Sequence, residues 1–372
     1  MKPAMNAFEV FLVAVPGLEQ ALFDEAREAG FQSAKVIAGG VSLQGMWPDV
    51  WRANLELRGA TAVLARLGTF PASHLSELDK RARKFAWAEI LHKDVSVRVS
   101  ASCKASRIYH SGAVQQRIEN ALREEFGASI ADDAPVEIMA RIERNVCTLS
   151  VDTSGTLLHK RGHKEAMAKA PMRETMAALF LRQCGYSGKE PVLDPMCGSG
   201  TFILEAAEMA LGLKPGRSRS FAFQHLKSFD QGQWVAMRES SQVGQTDVGF
   251  YGFDRDAGAI EASTANAARA GLSGIATFAQ QPISVLKRPE GPAGLVMVNP
   301  PYGSRIGDKK KLAALYETLG RVLRDGFSGW RVGIITDDAA LAKATGLHFL
   351  PQLPVVSHGG IKVRLYRTGP LA

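Results

Sequence analysis

The sequence predicts an α/β fold with a doubly wound, mostly parallel sheet over its second half, preceded by an α+β module. Three observations predict it. After about residue 185, short continuous apolar runs alternate with helical segments, the pattern of a parallel sheet covered on both faces. The first of these runs leads into a glycine-rich turn and then a helix. Before residue 155, strands and helices are intermixed without regular alternation. A chain of 372 residues, 46% of them hydrophobic, buries a core without staples, and at ~150 residues per domain it makes two domains or three small ones.

The elements follow in order. Phe8–Val15 is an apolar strand, and Pro16-Gly17 and Glu19 stand where a signal-peptide cleavage site would lie, so a buried strand is the better reading. Leu18, Leu22, Ala26 and Ala29 share one helical face, and Gly30 ends that helix. Strands are expected at Lys35–Ile37 and Gly40–Gln44, a helix at Pro48–Leu57, and a further segment at Thr61–Leu67. Ser73 or Ser76 is expected to cap a helix that carries Trp87 and ends near Ile90. Val95–Ser100 alternates as a strand, Ala113–Phe126 is helical, and Val136–Ile142 with Cys147–Asp152 makes a hairpin across Arg144-Asn145. Ala170–Cys184 is helical with Pro171 near its first turn. Then come Pro191–Asp194 into Thr201–Leu211, Gly249–Asp254 into Ala257–Ala270, and Leu295–Val298 into Lys311–Leu323, with last strands at Arg331–Thr336 and Lys362–Arg367. Residues 212–247 exceed what a crossover requires and read as an insertion.

Composition narrows the class. The four cysteines form no CxxC pair, so a disulfide scaffold and a structural zinc are not expected, and neither is any other metal. Mean hydropathy is -0.06 and no apolar run approaches the ~18 residues of a membrane span, so a cytoplasmic protein is expected. The net charge of +8 comes wholly from residues beyond 160 and permits a polyanionic partner.

In VLDPMCGSGT (192–201) a strand ends in an acid before a glycine turn and a helix start. A dinucleotide fingerprint needs a small residue where Ile203 stands, and no GK[ST] follows, so neither a pyrophosphate cradle nor a P-loop fits. Asp194 would repel phosphate and favours the cationic amino-acid end of S-adenosylmethionine. Asp254, ending the next strand, is placed to accept hydrogen bonds from ribose hydroxyls.

Leu295–Val298 runs straight into Asn299-Pro300-Pro301-Tyr302-Gly303. Consecutive prolines fix an extended backbone and carry no N–H, which presents the Asn299 amide oxygen and the Pro300 carbonyl as aimed acceptors. An exocyclic amine is a poor nucleophile because its lone pair is delocalised into the ring. Acceptors on its two hydrogens draw the nitrogen toward a tetrahedral form, so positioning and preorganised dipoles carry the catalysis. Tyr302 supplies a flat surface for a base taken out of its stack.

These motifs resemble those of class I SAM-dependent methyltransferases of the RNA guanine-N2 type, and of the bacterial 23S rRNA enzymes in particular. LDPMCGSGTFILEAA (193–207), GFDRD (252–256), NPPYGSRIG (299–307) and KRGHKEAMAKAPMRETMAALFL (160–181) carry the match, and PGRSRSFAFQHLKSFDQGQW (215–234) is similar to an insertion in the large-subunit enzymes. Residues 11–31, Gly39-Gly40-Val41 and 53–70 resemble the ferredoxin-like and THUMP module of the same proteins. The resemblance implies a ferredoxin-like part at 1–60, a THUMP RNA-binding domain at 61–155 and a Rossmann-like methyltransferase domain at 156–372 carrying the insertion.

It also implies the site. Asn299, Pro300, Pro301 and Tyr302 would be catalytic. Pro171, Asp194, Pro195, Met196, Cys197, Gly198, Ser199, Gly200, Thr201, Asp254 and Arg255 would hold the cofactor, S-adenosyl-L-methionine. Relatives carry an acid after the third strand for the adenine amine; here FAQQPIS (278–284) has none, and Gln281 or Ser284 would substitute. RNA, with rRNA ahead of tRNA, is the expected partner. Arg81, Arg83, Lys84, Lys104, Arg107, Arg305, Lys309, Lys310 and Lys311 would meet its phosphates. A tRNA guanine-N2 methyltransferase and an RNA-binding assembly factor with a vestigial site are the alternative readings. Trp51 and Trp87 are expected in the core, while nothing in the pattern separates His92, His159 and His163 from solvated side chains.

Overall fold

The computed structural model describes residues 7–165, 172–240, 243–303 and 309–372. They fall within two compact units, one of 1–14, 25–158 and 219–240, the other of 15–24, 159–218 and 241–372.

The first unit is built on a seven-stranded sheet. Its strands are β1 (Phe8–Val13), β2 (Lys35–Ile37), β3 (Gly40–Gly45), β4 (Ala62–Pro71), β5 (Val97–Lys104), β6 (Val136–Glu143) and β7 (Val146–Asp152), in the order β2-β3-β1-β4-β7-β6-β5. Only β5 and β6 run parallel. The ten-residue β4 pairs with β1 along its first half and with β7 along most of its length, so one strand joins the ferredoxin-like and THUMP-like parts into a single sheet. Helices α1 (Glu19–Glu28), α2 (Trp47–Glu56), α3 (Leu75–Arg83) and α4 (Ser111–Ala121) accompany these strands in the chain. The β6–β7 hairpin turns at Arg144 and Asn145, both at positive φ as a tight twisted turn requires.

Two local expectations are corrected here. Helix α3 ends at Arg83 and Trp87 sits on a separate short turn, Trp87–Glu89. Its N-cap is His74; neither Ser73 nor Ser76 caps it, and the Ser73 N–H donates to the Glu77 carboxylate instead. The stretch read as an insertion of the second domain also divides. Its central part, 219–240, including α7 (Gln231–Glu239), belongs to the first unit. Phe223 and Phe229 lie 6.1 and 5.8 Å from the buried Trp51 ring, Phe223 lies 5.0 Å from Trp234, and the Phe223 N–H donates to the Thr153 carbonyl. Aromatic burial anchors this segment.

The second unit carries β8 (Val192–Asp194), β9 (Phe250–Asp254), β10 (Ala276–Gln280), β11 (Leu295–Val298), β12 (Arg331–Thr336), β13 (Val356–His358) and β14 (Ile361–Arg367), in the order β10-β9-β8-β11-β12-β14-β13. Only the pairs made by β14 are antiparallel. Helices α5 (Glu174–Gln183), α6 (Thr201–Ala210), α8 (Ala257–Arg269), α9 (Lys309–Gly326) and α10 (Ala339–Ala344) alternate with them. The chain winds outward from β8 to β10, then returns to β11 on the other side of β8. That reversal opens a crevice beyond the carboxyl ends of β8 and β11. The expected start of the α5 helix at Ala170, and Pro171, lie outside the described residues.

Candidate active site

Asp194, Asp254 and Asn299 stand at or just beyond the carboxyl ends of three adjacent strands, β8, β9 and β11. The turn after β8 is held from both sides. Asp194 Oδ1 accepts the Met196 N–H at 3.0 Å, and Asp254 Oδ2 accepts the Gly198 N–H at 3.1 Å. Asn266 Nδ2 donates to the Ser199 carbonyl at 3.1 Å. Gly200 adopts φ +84°, and a Cβ there would lie 3.0 Å from Ser263 and 3.1 Å from the Phe278 ring, so the close fit demands glycine. Pro195, Cys197, Ser199 and Thr201 are buried, while Met196 and Gly198 are half-buried. Burial pushes the Cys197 thiol well up, so it stays protonated and packs as a small side chain.

Asp194 is buried, and both that burial and the neighbouring Asp254 carboxylate raise its pKa well above the usual range. A buried acid with a second acid beside it is a place that a cation stabilises. Arg255 is exposed, and its carbonyl accepts from Gln280. The Gln281 amide donates to the Val285 carbonyl at 2.8 Å and its N–H to the Asp254 carbonyl, while Ser284 is exposed on the same short loop.

Beyond β11, Asn299 Oδ1 is buried and accepts no hydrogen bond. A buried acceptor left in this state costs about 1–3 kcal/mol, and a donor arriving with a ligand relieves that cost. Pro300 is buried beside it. Tyr302 is half-buried against the apolar cluster around Tyr316 and Ile334, and burial together with Asp337 pushes its phenol up to about 12, so it is neutral. The Tyr316 hydroxyl on α9 lies 3.4 Å from the Pro301 carbonyl and also bonds Thr336, holding the Pro-Pro turn from beneath.

Residues 161–359, more than half the chain, match the RMKL-like methyltransferase domain family UPF0020. The chain belongs to that family. Residues 9–64 match the RlmL ferredoxin-like domain and 72–152 the THUMP domain. The chain is 31% identical over 96% of its length, and 95% of the relative's, to a Synechocystis protein named "Putative RNA methyltransferase slr0064". It is 33% identical over 92% of its length to the Ribosomal RNA large subunit methyltransferase K/L of Marinobacter nauticus, of which it spans only 50%. Its fold superposes on a solved structure described as "SMU.472, a putative methyltransferase complexed with SAH" with a TM-score of 0.89, 26% identity and 99% of each chain covered. The cofactor of this methyltransferase is S-adenosyl-L-methionine, and its THUMP domain makes RNA the partner.

The remaining predicted residues lie in both units. Arg81, Lys84, Lys104 and Arg107 are exposed in the first unit, and Lys309, Lys310 and Lys311 are exposed at the start of α9 in the second. Arg305 lies outside the described residues. Arg83 is half-buried, and its guanidinium meets Asp79, Glu124 and Glu125 at 2.7–2.9 Å, a brace between α3 and the end of the α4 region.

Sequence reasoning missed the supports of the glycine loop. Arg161 and Glu205, 1% and 2% exposed, form a two-bonded pair at 3.0 and 3.3 Å. His163 lies 3.3 Å from Glu208, which Arg217 also meets at 2.6 Å, and burial holds the imidazole below its ordinary value. Lys164 bonds the Thr201 hydroxyl at 2.7 Å and Glu174 at 3.0 Å. One signal for this was available: Glu205 and Glu208 lie one turn apart on an otherwise apolar helix, and buried acids require cations. Among the described residues, no cluster of three or more His, Cys, Asp or Glu could hold a metal, and no helix is long and apolar enough to cross a membrane.

Proposed function

We propose that this methyltransferase modifies the exocyclic N2 amine of a guanine in large-subunit ribosomal RNA. The observation that carries the reading is the buried, unsatisfied Asn299 Oδ1 at the end of β11, beside the strand that bears Asp194. When bound, S-adenosylmethionine supplies a methyl group activated on a sulfonium. Asp194 orients the amino-acid end and Asp254 the ribose. Asn299 Oδ1 and the Pro300 carbonyl would accept hydrogen bonds from the two N–H groups of the target amine and turn its lone pair toward the methyl group. As the N–C bond forms the sulfonium S–C bond breaks, and the methylated nitrogen then loses one proton to water, so no strong base is needed before transfer. Tyr302, neutral and flat, replaces the stacking that the extruded base has lost. Pro301 and Tyr316 keep the acceptors in place. The K/L relatives favour ribosomal RNA as the target, and the chain's span of about half their length fits one methyltransferase unit of such a protein.

The test is transfer of labelled methyl groups to RNA from a strain lacking the gene, followed by nucleoside mass spectrometry. N2-methylguanosine in 23S rRNA is the expected product. Label in tRNA, or on a ring nitrogen, refutes the substrate or the atom. Asn299→Ala should lower kcat roughly 10²–10³-fold while cofactor affinity is kept; an equal loss of both removes Asn299 from the role assigned to it.

A further inference from the structure

Tyr109 is 85% exposed, more than any other large apolar or aromatic side chain among the described residues. Isolated exposed aromatics are common, so exposure alone carries nothing. The backbone around this one is fixed on both sides. Ile108 is buried, anchoring the chain directly before it. His110 follows as the N-cap of α4, its Nδ1 accepting the Ala113 N–H at 3.2 Å. The loop leading to it is tied to the β6–β7 turn by three hydrogen bonds: Arg107 N–H to Asn145 Oδ1 at 2.8 Å, Asn145 N–H to Ser106 Oγ at 3.0 Å, and Arg144 N–H to the Lys104 carbonyl at 3.3 Å. The backbone at Ala105, Arg144 and Asn145 takes positive φ to make this junction.

The tied loop and turn carry Lys104, Arg107 and Arg144, all exposed, with Glu143 3.6 Å from Lys104 and paired also with Arg141. A solvent-facing ring on a rigid backbone among cations has the composition of a surface that takes single-stranded nucleic acid. The ring stacks on a base and the cations meet the flanking phosphates. Little ordering entropy is lost on binding, because the loop is already held.

We infer that Tyr109 is a stacking platform for an unpaired base of the RNA substrate, with Arg107, Lys104 and Arg144 as its phosphate contacts. This deepens the proposed function by naming a single-stranded element of the substrate, and it rests on RNA being that substrate. It does not depend on which atom is methylated.

The experiment compares the full chain with Tyr109→Ala and Tyr109→Phe in fluorescence anisotropy. The probes are two labelled RNAs, a hairpin with a short single-stranded tail and the same hairpin blunt-ended. Tyr109→Ala should weaken binding of the tailed RNA about 5- to 100-fold and leave the blunt RNA unchanged, while Tyr109→Phe keeps wild-type affinity for both. Equal binding of the tailed RNA by wild type and Tyr109→Ala overturns the inference, as does an equal loss on both RNAs. Methyl transfer by the wild-type protein to RNA is scored separately. Its absence counts against the proposed function, whereas the tailed-minus-blunt difference alone judges Tyr109. The ring is exposed, so neither variant should alter the melting temperature.

Discussion

Replacing Arg161 with Met should destabilise the second unit sharply, and the size follows from the geometry of one buried pair. The guanidinium and the Glu205 carboxylate are 1% and 2% exposed and share two hydrogen bonds at 3.0 and 3.3 Å. Methionine keeps much of the arginine's length and apolar packing while removing its charge. Glu205 then retains a buried charge without this guanidinium, a change that costs about 3–5 kcal/mol. At about 2–4 °C per kcal/mol for a domain of roughly 150–250 residues, the melting temperature of that unit falls by about 6–20 °C. The double variant Arg161→Met/Glu205→Met removes both charges of this pair and should recover part of the loss. Differential scanning calorimetry of wild type, both single variants and the double variant closes the cycle. A single variant melting within about 2 °C of wild type, or a double variant no better than the worse single one, would refute the reasoning. The pair also bears on function. Glu205 lies on α6, whose first residue is Thr201 of the glycine loop, so the single variant should bind S-adenosylmethionine more weakly even at temperatures where it is folded.

Three further outcomes follow from other parts of the molecule. Burial lifts the Asp152 carboxyl to about 6 from an ordinary 3.8, so its ionisation costs the folded state about 3 kcal/mol. A folded value above the unfolded one contributes stability that is present at low pH and lost as pH rises through about 6. Asp152→Asn should therefore melt above wild type at pH 8, with the gap closing toward pH ~4; a gap independent of pH contradicts this. Tyr316→Phe removes the hydroxyl facing the Pro301 carbonyl and should lower kcat roughly 2- to 10-fold with cofactor affinity unchanged. A fall in affinity without a fall in kcat would remove Tyr316 from its positioning role. Arg83→Ala should leave RNA affinity within about twofold because that guanidinium already meets three carboxylates, whereas Arg107→Ala should weaken binding and reduce the salt slope by about one. Equal effects of the two in salt titrations would return Arg83 to the RNA surface.

Local chemistry made much of the candidate site legible in the sequence. DPMCGSGT and NPPY lie where strands end because apolar runs, glycines and prolines dictate backbone conformation over a few residues. The Arg144-Asn145 turn and the helix after the glycine loop were readable for the same reason. The misreadings are of two kinds. The cap of α3 and the position of Trp87 hinged on one or two residues, where several polar side chains compete for the same orphan amides. His163, which the pattern left open, is buried against Glu208, and Arg83 pairs with carboxylates more than forty residues away. No local pattern predicts those partners.

The sequence by itself determined the class of fold, the two motifs of the crevice and the chemistry their residue types permit, because propensity, turn geometry and donor type are properties of short segments. Only the tertiary structure decided which strands are neighbours. It placed β8 between β9 and β11, so that Asp194, Asp254 and Asn299 stand at the carboxyl ends of three adjacent strands although more than a hundred residues separate the first from the last. It ran β4 through both amino-terminal parts as one strand, and it set Arg161, His163 and Lys164 against Glu205, Glu208 and Thr201. These pairings depend on burial. Two charges distant in sequence become obligatory partners only once packing has removed the water that would otherwise serve either of them.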